Sequence, residues 1–128
     1  MKIAVDFDNS CVEKSYPEIG QDVPGAVETM KFLISQGHRL ILYTMRHGNT
    51  LEDAKKWFSE RGIELYGEQY DPEQFAWTTS NKCFYELLID DMSLNCPLIM
   101  PDGFNQPVVN WFVIPTLIQR HMEIHSLV

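Results

Sequence analysis

The chain has 128 residues, of which 45% are hydrophobic and 22% are charged, a composition typical of one folded globular domain rather than of a disordered chain. Eighteen acidic residues against ten basic ones give a formal net charge of -8, which disfavours binding to nucleic acid or to an anionic membrane surface. The longest nearly apolar run, residues 108–118, is shorter than the roughly 20 residues that a membrane-spanning helix needs.

The beginning of the sequence and its cysteines predict a cytoplasmic protein. Asp6 interrupts the first apolar residues, where a secretory signal peptide has its apolar centre. Cys11, Cys83 and Cys96 are an odd number of cysteines without C-x-x-C spacing, which favours reduced thiols over a disulfide framework or a zinc site.

The first predicted unit is a strand, a long loop and a helix. Residues 2–5 form a short apolar run that stops at Asp6, and this pattern predicts a buried strand. The polar segment at residues 9–23 is long enough to be a functional loop. Pro24 suits the first turn of an amphipathic helix, which Gly37 then ends.

The second predicted unit repeats this order. Residues 39–43 read as a strand, and residues 44–49 as a polar turn. Thr50 opens a second amphipathic helix that Gly62 closes. Residues 63–66 are predicted to form a short third strand.

The last third of the chain carries a weaker pattern. Residues 67–80 read as an acidic, aromatic loop, residues 84–89 as a fourth strand and residues 97–100 as a short fifth one. A closing helix is predicted at residues 113–125, and Pro115 obliges its regular part to begin near that residue or to be kinked there. Strands that alternate with helices imply right-handed crossovers, so we expect a single three-layer α/β/α domain with a mostly parallel, Rossmann-like sheet.

Chemically capable residues follow the predicted strands. In an open parallel sheet the ligand crevice lies outside the carboxyl ends of the strands. Four acids at one rim repel one another unless a cation joins them, and an all-oxygen site of this kind suits Mg²⁺. The residues expected at this rim are Asp6, Asp8, Thr44, Arg46, Asp90 and Asp91, with Lys82 shortly before the fourth strand.

In this order, these residues resemble the four motifs of the haloacid dehalogenase-like hydrolases. Residues 5–10, V-D-F-D-N-S, resemble the first motif, D-x-D-x-[TV], with Ser10 in the last place. Residues 42–44, L-Y-T, resemble the second, Lys82 the third, and residues 88–91, L-I-D-D, the fourth. Most members of that family are phosphatases that form an aspartyl-phosphate intermediate.

The resemblance implies a role for each matched residue. Asp6 would be the nucleophile, and Asp8 the general acid and base. Thr44 would hydrogen-bond the transferring phosphoryl group, and Lys82 would neutralise its charge. The implied ligands of Mg²⁺ are Asp6, Asp90, Asp91 and the main-chain carbonyl of Asp8.

The resemblance also bears on access to the site. It implies that residues 10–23 form a flap over the site, and no segment is long enough for a separate cap domain. Such an open site admits small-molecule or macromolecular phosphate esters. Arg46 and His47 are candidate substrate-binding residues, and the apolar pair Trp111 and Phe112 is compatible with a homodimer.

Two other classes of function stay open at this point. A phosphorylated receiver domain also gathers acids, Thr and Lys around Mg²⁺, but its acid pair and its phosphorylated Asp lie on different strands. Here Asp6 and Asp8 share one loop, which favours turnover over signalling. A non-catalytic domain that binds phosphate or Mg²⁺ is the other alternative, and it would release no phosphate.

Overall fold

The computed structural model describes residues 1–126. Its helices and strands, in chain order, are β1 (Lys2–Val5), α1 (Ala26–Ser35), β2 (Arg39–Leu42), α2 (Gly48–Glu60), β3 (Gly67–Glu68), β4 (Leu87–Ile89), β5 (Leu98–Ile99), β6 (Val108–Val109) and α3 (Ile114–Ser126). Short 3-10 turns lie at Gln74–Ala76 and Trp111–Val113. Within residues 1–126, no helix combines the length and the apolar character that crossing a membrane requires.

Four strands form one parallel sheet in the order β3-β2-β1-β4. Val5 at the end of β1 pairs with Leu42 of β2 on one side and with Ile89 of β4 on the other. The residues that follow these three strands therefore emerge together at one edge of the sheet. The predicted α/β class with a mostly parallel sheet is confirmed.

The three helices and one face of the sheet share the main hydrophobic core. Val5 and Leu42 are fully buried in it, and α2 contributes Trp57 and Phe58. The ring of Phe7 lies 5.6 Å from that of Trp57 and 5.9 Å from that of Phe58, centroid to centroid. Burial of each such side chain stabilises the fold by roughly 1.5–3 kcal/mol, so this packing holds the end of β1 in place.

The connection from β3 to β4 runs across the sheet in the opposite direction to the two earlier connections, so a right-handed crossover places it on the other face. This layer is irregular. Its organising side chain is the fully buried Gln74, whose Nε2 donates to the carbonyls of Ser80 and Lys82. The Gln74 Oε1 accepts from the backbone N–H groups of Asp71 and Phe84. Apart from the short 3-10 turn at Gln74–Ala76, this layer is organised by the hydrogen bonds of one amide side chain and not by a helix.

The third strand was predicted at the wrong residues, since β3 begins at Gly67. Ile63 belongs to the end of α2: Gly62 has a φ of 69°, and the N–H of Ile63 donates to the carbonyl of Phe58. This is the Schellman arrangement, in which an apolar residue after the glycine packs back onto the helix. The burial of Ile63 therefore reflects helix termination and not sheet pairing.

The remaining boundaries differ by a few residues. Helix α1 begins after Gly25, whose φ of 79° is incompatible with a helical turn that starts at Pro24. The predicted fifth strand is β5, which pairs antiparallel with β6 in a separate two-stranded sheet. Helix α3 has Pro115 as its second residue, as the sequence predicts for the start of its regular part.

Candidate active site

Three of the predicted metal ligands come together at the carboxyl ends of β1 and β4. One carboxylate oxygen from each of Asp6, Asp90 and Asp91 lies within 4.8 Å of the other two. The backbone N–H of Asp6 donates to the carbonyl of Ile89 at 2.9 Å, which continues the pairing of β1 with β4. The Oδ1 of Asp90 accepts from the N–H of Met92 at 2.9 Å, which orients that carboxylate. The sheet therefore fixes the spacing of this acid cluster.

The electrostatics of the acid cluster favour a proton or a cation. Burial raises the pKa of Asp6 to about 8, and the neighbouring carboxyls of Asp90 and Asp91 add to this effect. Burial also raises the pKa of Asp91. The hydroxyl of Ser10 donates to Asp6 Oδ2 at 3.1 Å and opposes the rise at Asp6. A cluster of oxygen donors that are hard to ionise together fits a small divalent cation such as Mg²⁺.

Asp8 lies beside the acid cluster but its side chain is engaged elsewhere. Arg46 Nε donates to Asp8 Oδ2 at 2.9 Å, and Arg46 Nη2 donates to Asp8 Oδ1 at 2.8 Å. The Arg46 side chain is 1% exposed and the Asp8 side chain 17% exposed. Asp8 is thus held by a charge-assisted, two-pronged contact and still reaches the cavity.

Thr44 follows β2 at the same edge and is braced by Gln69. The N–H of Thr44 donates to Gln69 Oε1 at 2.9 Å, and Gln69 Nε2 donates to the Thr44 carbonyl at 2.7 Å. Thr44 Oγ1 accepts from the N–H of Arg46 at 3.1 Å. Because the hydroxyl is used there as an acceptor, its own hydrogen is free to donate to a ligand.

The flap, residues 10–23, is tied to a distant part of the chain. Asn9 directly precedes the flap and has a φ of 64°, a left-handed conformation that Asn tolerates well. Its side-chain Nδ2 donates to Gln106 Oε1. The carboxylate of Glu13 accepts from the backbone N–H groups of Asn105 and Gln106. The N–H of Val109 donates to the carbonyl of Asn9. The flap is therefore anchored along one side.

These groups line one cavity of about 690 Å³. It holds the acid cluster, the predicted substrate-binding residues and several residues of the flap. The lining residues are Asp6, Asp8, Asn9, Lys14, Tyr16, Thr44, Met45, Arg46, His47, Asp90, Asp91, Met92 and Gln106.

Lys82 is the predicted site residue that the structure does not bring to this cavity. It lies in the loop before β4 and lines a separate depression with Trp77 and Phe84. Its carbonyl accepts from Gln74, which holds this stretch in the irregular layer. Lys14 of the flap is the lysine that lines the cavity. The phosphoryl-binding role of Lys82 therefore stays a prediction.

Sequence reasoning missed three supporting residues. Gln69 and Glu13 act through hydrogen bonds between segments far apart in sequence, and Lys14 lines the cavity from the flap, so no spacing in the sequence indicates these residues. Gln69 directly follows β3, which the sequence pattern places at residues 63–66, so its position beside Thr44 was not readable. Arg46 and His47, the candidate substrate-binding residues, both line the cavity, and Arg46 is buried there; a role of either in substrate binding stays a prediction.

Comparison with known proteins identifies two similar proteins but no family model. No protein-family model matches the chain. A Bacillus cereus protein named as a putative nucleotidase is 26% identical over 121 residues, which are 91% of this chain but 60% of that protein. The chain thus spans less than two thirds of this relative's length. The solved structure of a conserved protein from Bacteroides thetaiotaomicron is 38% identical, with a TM-score of 0.76, and the match covers 94% of this chain and 91% of that one. The chain belongs to the same family as this Bacteroides protein.

Proposed function

We propose that the protein is a Mg²⁺-dependent phosphate monoester hydrolase of the haloacid dehalogenase-like type, with Asp6 as its nucleophile. The observation that carries this proposal is the meeting of Asp6, Asp90 and Asp91 within 4.8 Å, in a cavity that also contains Asp8 and Thr44. Because the carboxyl of Asp6 is difficult to ionise beside two other acids, it needs a nearby cation before it can act as a nucleophile. A purely structural role would not explain why these acids face a cavity.

The chemistry of the donor set fits Mg²⁺. Asp6, Asp90 and Asp91 supply carboxylate oxygens, and the main-chain carbonyl of Asp8 is the proposed fourth protein ligand. When bound, Mg²⁺ would neutralise charge on the phosphoryl oxygens and stabilise the ionised form of Asp6.

The first chemical step transfers the phosphoryl group to Asp6. A carboxylate oxygen of Asp6 forms a bond to phosphorus while the bond from phosphorus to the ester oxygen breaks. For this step Asp8 must enter protonated, with its hydrogen at an oxygen position that Arg46 does not occupy, and it gives that proton to the leaving oxygen. Thr44 donates its hydroxyl hydrogen to a phosphoryl oxygen, for which its hydrogen bonding leaves it free.

The second step returns Asp6 to its starting state. Water attacks phosphorus, Asp8 takes the proton from that water, and the bond from phosphorus to the Asp6 oxygen breaks. Inorganic phosphate leaves with Asp8 protonated again. One residue therefore serves as acid and then as base, which requires that Asp8 be held in a fixed place.

The similarity to a protein named as a nucleotidase supports phosphate ester hydrolysis and favours nucleoside monophosphates among the possible substrates. The cavity of about 690 Å³ has room for a ligand of that size. The same volume also admits other small phosphate esters.

A screen of phosphate esters tests the proposal. We expect phosphate release from at least one aryl phosphate or nucleoside monophosphate in the presence of Mg²⁺, and none after removal of Mg²⁺ with a chelator. The matched control is Asp53→Asn on the exposed surface of α2, which should keep full activity while Asp6→Asn loses it. Activity that survives in Asp6→Asn would overturn the proposal.

A further inference from the structure

The guanidinium of Arg46 is the most completely bonded charged group in the cavity wall. Besides its two contacts to Asp8, it donates from Nη2 to the carbonyl of Glu18 at 2.8 Å and from Nη1 to the carbonyls of Pro17 and Thr50 at 3.2 and 3.4 Å. A guanidinium has five N–H groups, and the five contacts use them all. No donor of Arg46 is left for a substrate.

These contacts join three separate segments of the chain. Asp8 follows β1, Pro17 and Glu18 lie in the flap, and Thr50 lies in the first turn of α2. The guanidinium also lies between two aromatic rings, with its carbon 5.0 Å from the centroid of Phe7 and 5.2 Å from that of Tyr16. One buried cation thus connects the middle of the flap to the carboxylate beside the acid cluster.

We propose that Arg46 is a positioning residue that holds Asp8 and the flap in a single arrangement for proton transfer. This inference rests on the proposed function, because it gives Asp8 the role of acid and base. The contact leaves Asp8 usable, since each carboxylate oxygen has two acceptor positions and Arg46 occupies one on each.

The alternative roles of Arg46 make different predictions. A direct contact with substrate would require a free N–H, which the hydrogen bonding does not leave. A purely structural ion pair would affect the amount of folded protein but not one chemical step more than another. If Arg46 acts by positioning Asp8, then substitution of Arg46 should lower kcat only while Asp8 is present.

The test is a double-mutant cycle between Arg46 and Asp8, measured with p-nitrophenyl phosphate and Mg²⁺. Arg46→Lys keeps the charge but loses the two-pronged geometry, and we expect kcat to fall roughly 10²-fold with KM little changed. In the Asp8→Asn background the same substitution should lower kcat less than about threefold, because its effect passes through Asp8. Equal losses in both backgrounds would overturn the proposal.

A second readout separates positioning from a structural defect. p-Nitrophenolate leaves readily without an acid, so misplacement of Asp8 should slow the second step more than the first. Rapid mixing should then show a burst of p-nitrophenolate close to one equivalent of Arg46→Lys enzyme, followed by slow turnover. Slow turnover without a burst would point to a structural defect and contradict positioning.

Arg61 provides the matched control. Its Nε and Nη2 donate to Asp22 at 2.8 and 3.0 Å, which is the same two-pronged geometry, but neither residue lines the cavity. Arg61→Lys should leave kcat and the burst unchanged. A loss in Arg61→Lys equal to that in Arg46→Lys would overturn the specific role of Arg46.

A milder variant covers the case in which Arg46→Lys does not fold. Tyr16 is 49% exposed, so Tyr16→Leu should fold while removing one of the two rings that flank the guanidinium. We expect a smaller loss of kcat that again disappears in the Asp8→Asn background, and persistence of the loss there would contradict the proposal.

Wild-type protein that releases no phosphate, or Asp6→Asn protein that does, would refute the proposed function itself and this inference with it. Additive losses in an otherwise normal enzyme would refute this inference alone.

Discussion

The hydroxyl of Ser10 donates to the Oδ2 of Asp6 at 3.1 Å, so the first residue of the flap fixes the side chain of the proposed nucleophile. Ser10 is itself held, because its carbonyl accepts from the indole Nε1 of Trp111 at 2.6 Å. Trp111 is fully buried just before α3. The orientation of Asp6 therefore depends on packing near the other end of the described chain.

Trp111→Phe should lower the free energy of unfolding by about 1–3 kcal/mol, because the buried Ser10 carbonyl loses its donor. Urea unfolding should show a lower midpoint with an unchanged slope. The neighbouring control, Phe112→Leu, changes a side chain that is 66% exposed and should stay within about 0.5 kcal/mol of the parent. Equal midpoints for the two variants would show that the indole contact contributes nothing.

Mg²⁺ should raise the melting temperature, because a ligand that binds only the native state stabilises it. At a concentration 100 times the Kd the gain is about 2.7 kcal/mol. Asp90→Asn should remove most of this gain, whereas Asp53→Asn, on the exposed face of α2, should keep it. Scanning calorimetry with and without Mg²⁺ measures both, and an identical Mg²⁺ response in the two variants would contradict the proposed ligand set.

Without metal, the acid cluster should make stability fall as the pH rises. The pKa of Asp6 is about 8 in the folded protein, against an ordinary value of 3.8 in the unfolded chain, so between these limits the native state binds more protons than the unfolded state. The stability that this proton provides is complete below about 3.8 and is lost as the pH rises through 8. The raised pKa of Asp91 acts with the same sign.

Asp6→Asn removes the free-energy cost of ionising Asp6 in the folded protein. In the presence of a chelator, the variant should therefore unfold at a higher temperature than the parent at pH 8, and the difference should shrink as the pH is lowered towards 4. Thermal unfolding across this pH range provides the measurement. A difference that is constant with pH would show that Asp6 is not difficult to ionise in the folded protein.

Two lysines compete for the phosphoryl-binding role. Lys14 lines the cavity, whereas Lys82, which matches the sequence motif, lies outside it. From this placement we expect Lys14→Met to lower kcat/KM roughly ten- to a hundredfold and Lys82→Met to lower it by less. Steady-state kinetics on the two variants decides between them. The reverse order would mean that the loop before β4 moves to the cavity, in agreement with the motif.

The sequence predicts the acid cluster better than its surroundings, for a physical reason. Asp6 and Asp90 follow apolar runs that form parallel strands, and parallel strands bring their carboxyl ends to one edge whatever the loops do. The position of Lys82 depends instead on an irregular layer organised by Gln74. The Arg46 side chain is held by the main-chain carbonyls of Pro17, Glu18 and Thr50. Because every residue has such a carbonyl, the sequence does not indicate these contacts.

The position of strand β3 could also not be predicted from the sequence. An apolar run after a helix can continue into a strand or fold back onto the helix, and periodicity does not separate these outcomes. Here Gly62 in the left-handed region turns Ile63 back towards Phe58, and pairing with β2 begins only at Tyr66, whose N–H donates to Leu40. The glycine indicated where the helix stops but not how far the strand lies beyond it.

Trapping of the covalent intermediate tests the central claim most directly. Asp8→Asn protein should be mixed with p-nitrophenyl phosphate and Mg²⁺, quenched in acid, digested and mapped by mass spectrometry, because loss of the base slows hydrolysis of the phosphoenzyme. The account predicts one phosphoryl group on Asp6 and none in an Asp6→Asn, Asp8→Asn control. A phosphoryl group on any other residue, or hydrolysis at the parent rate by Asp6→Asn protein, would contradict it.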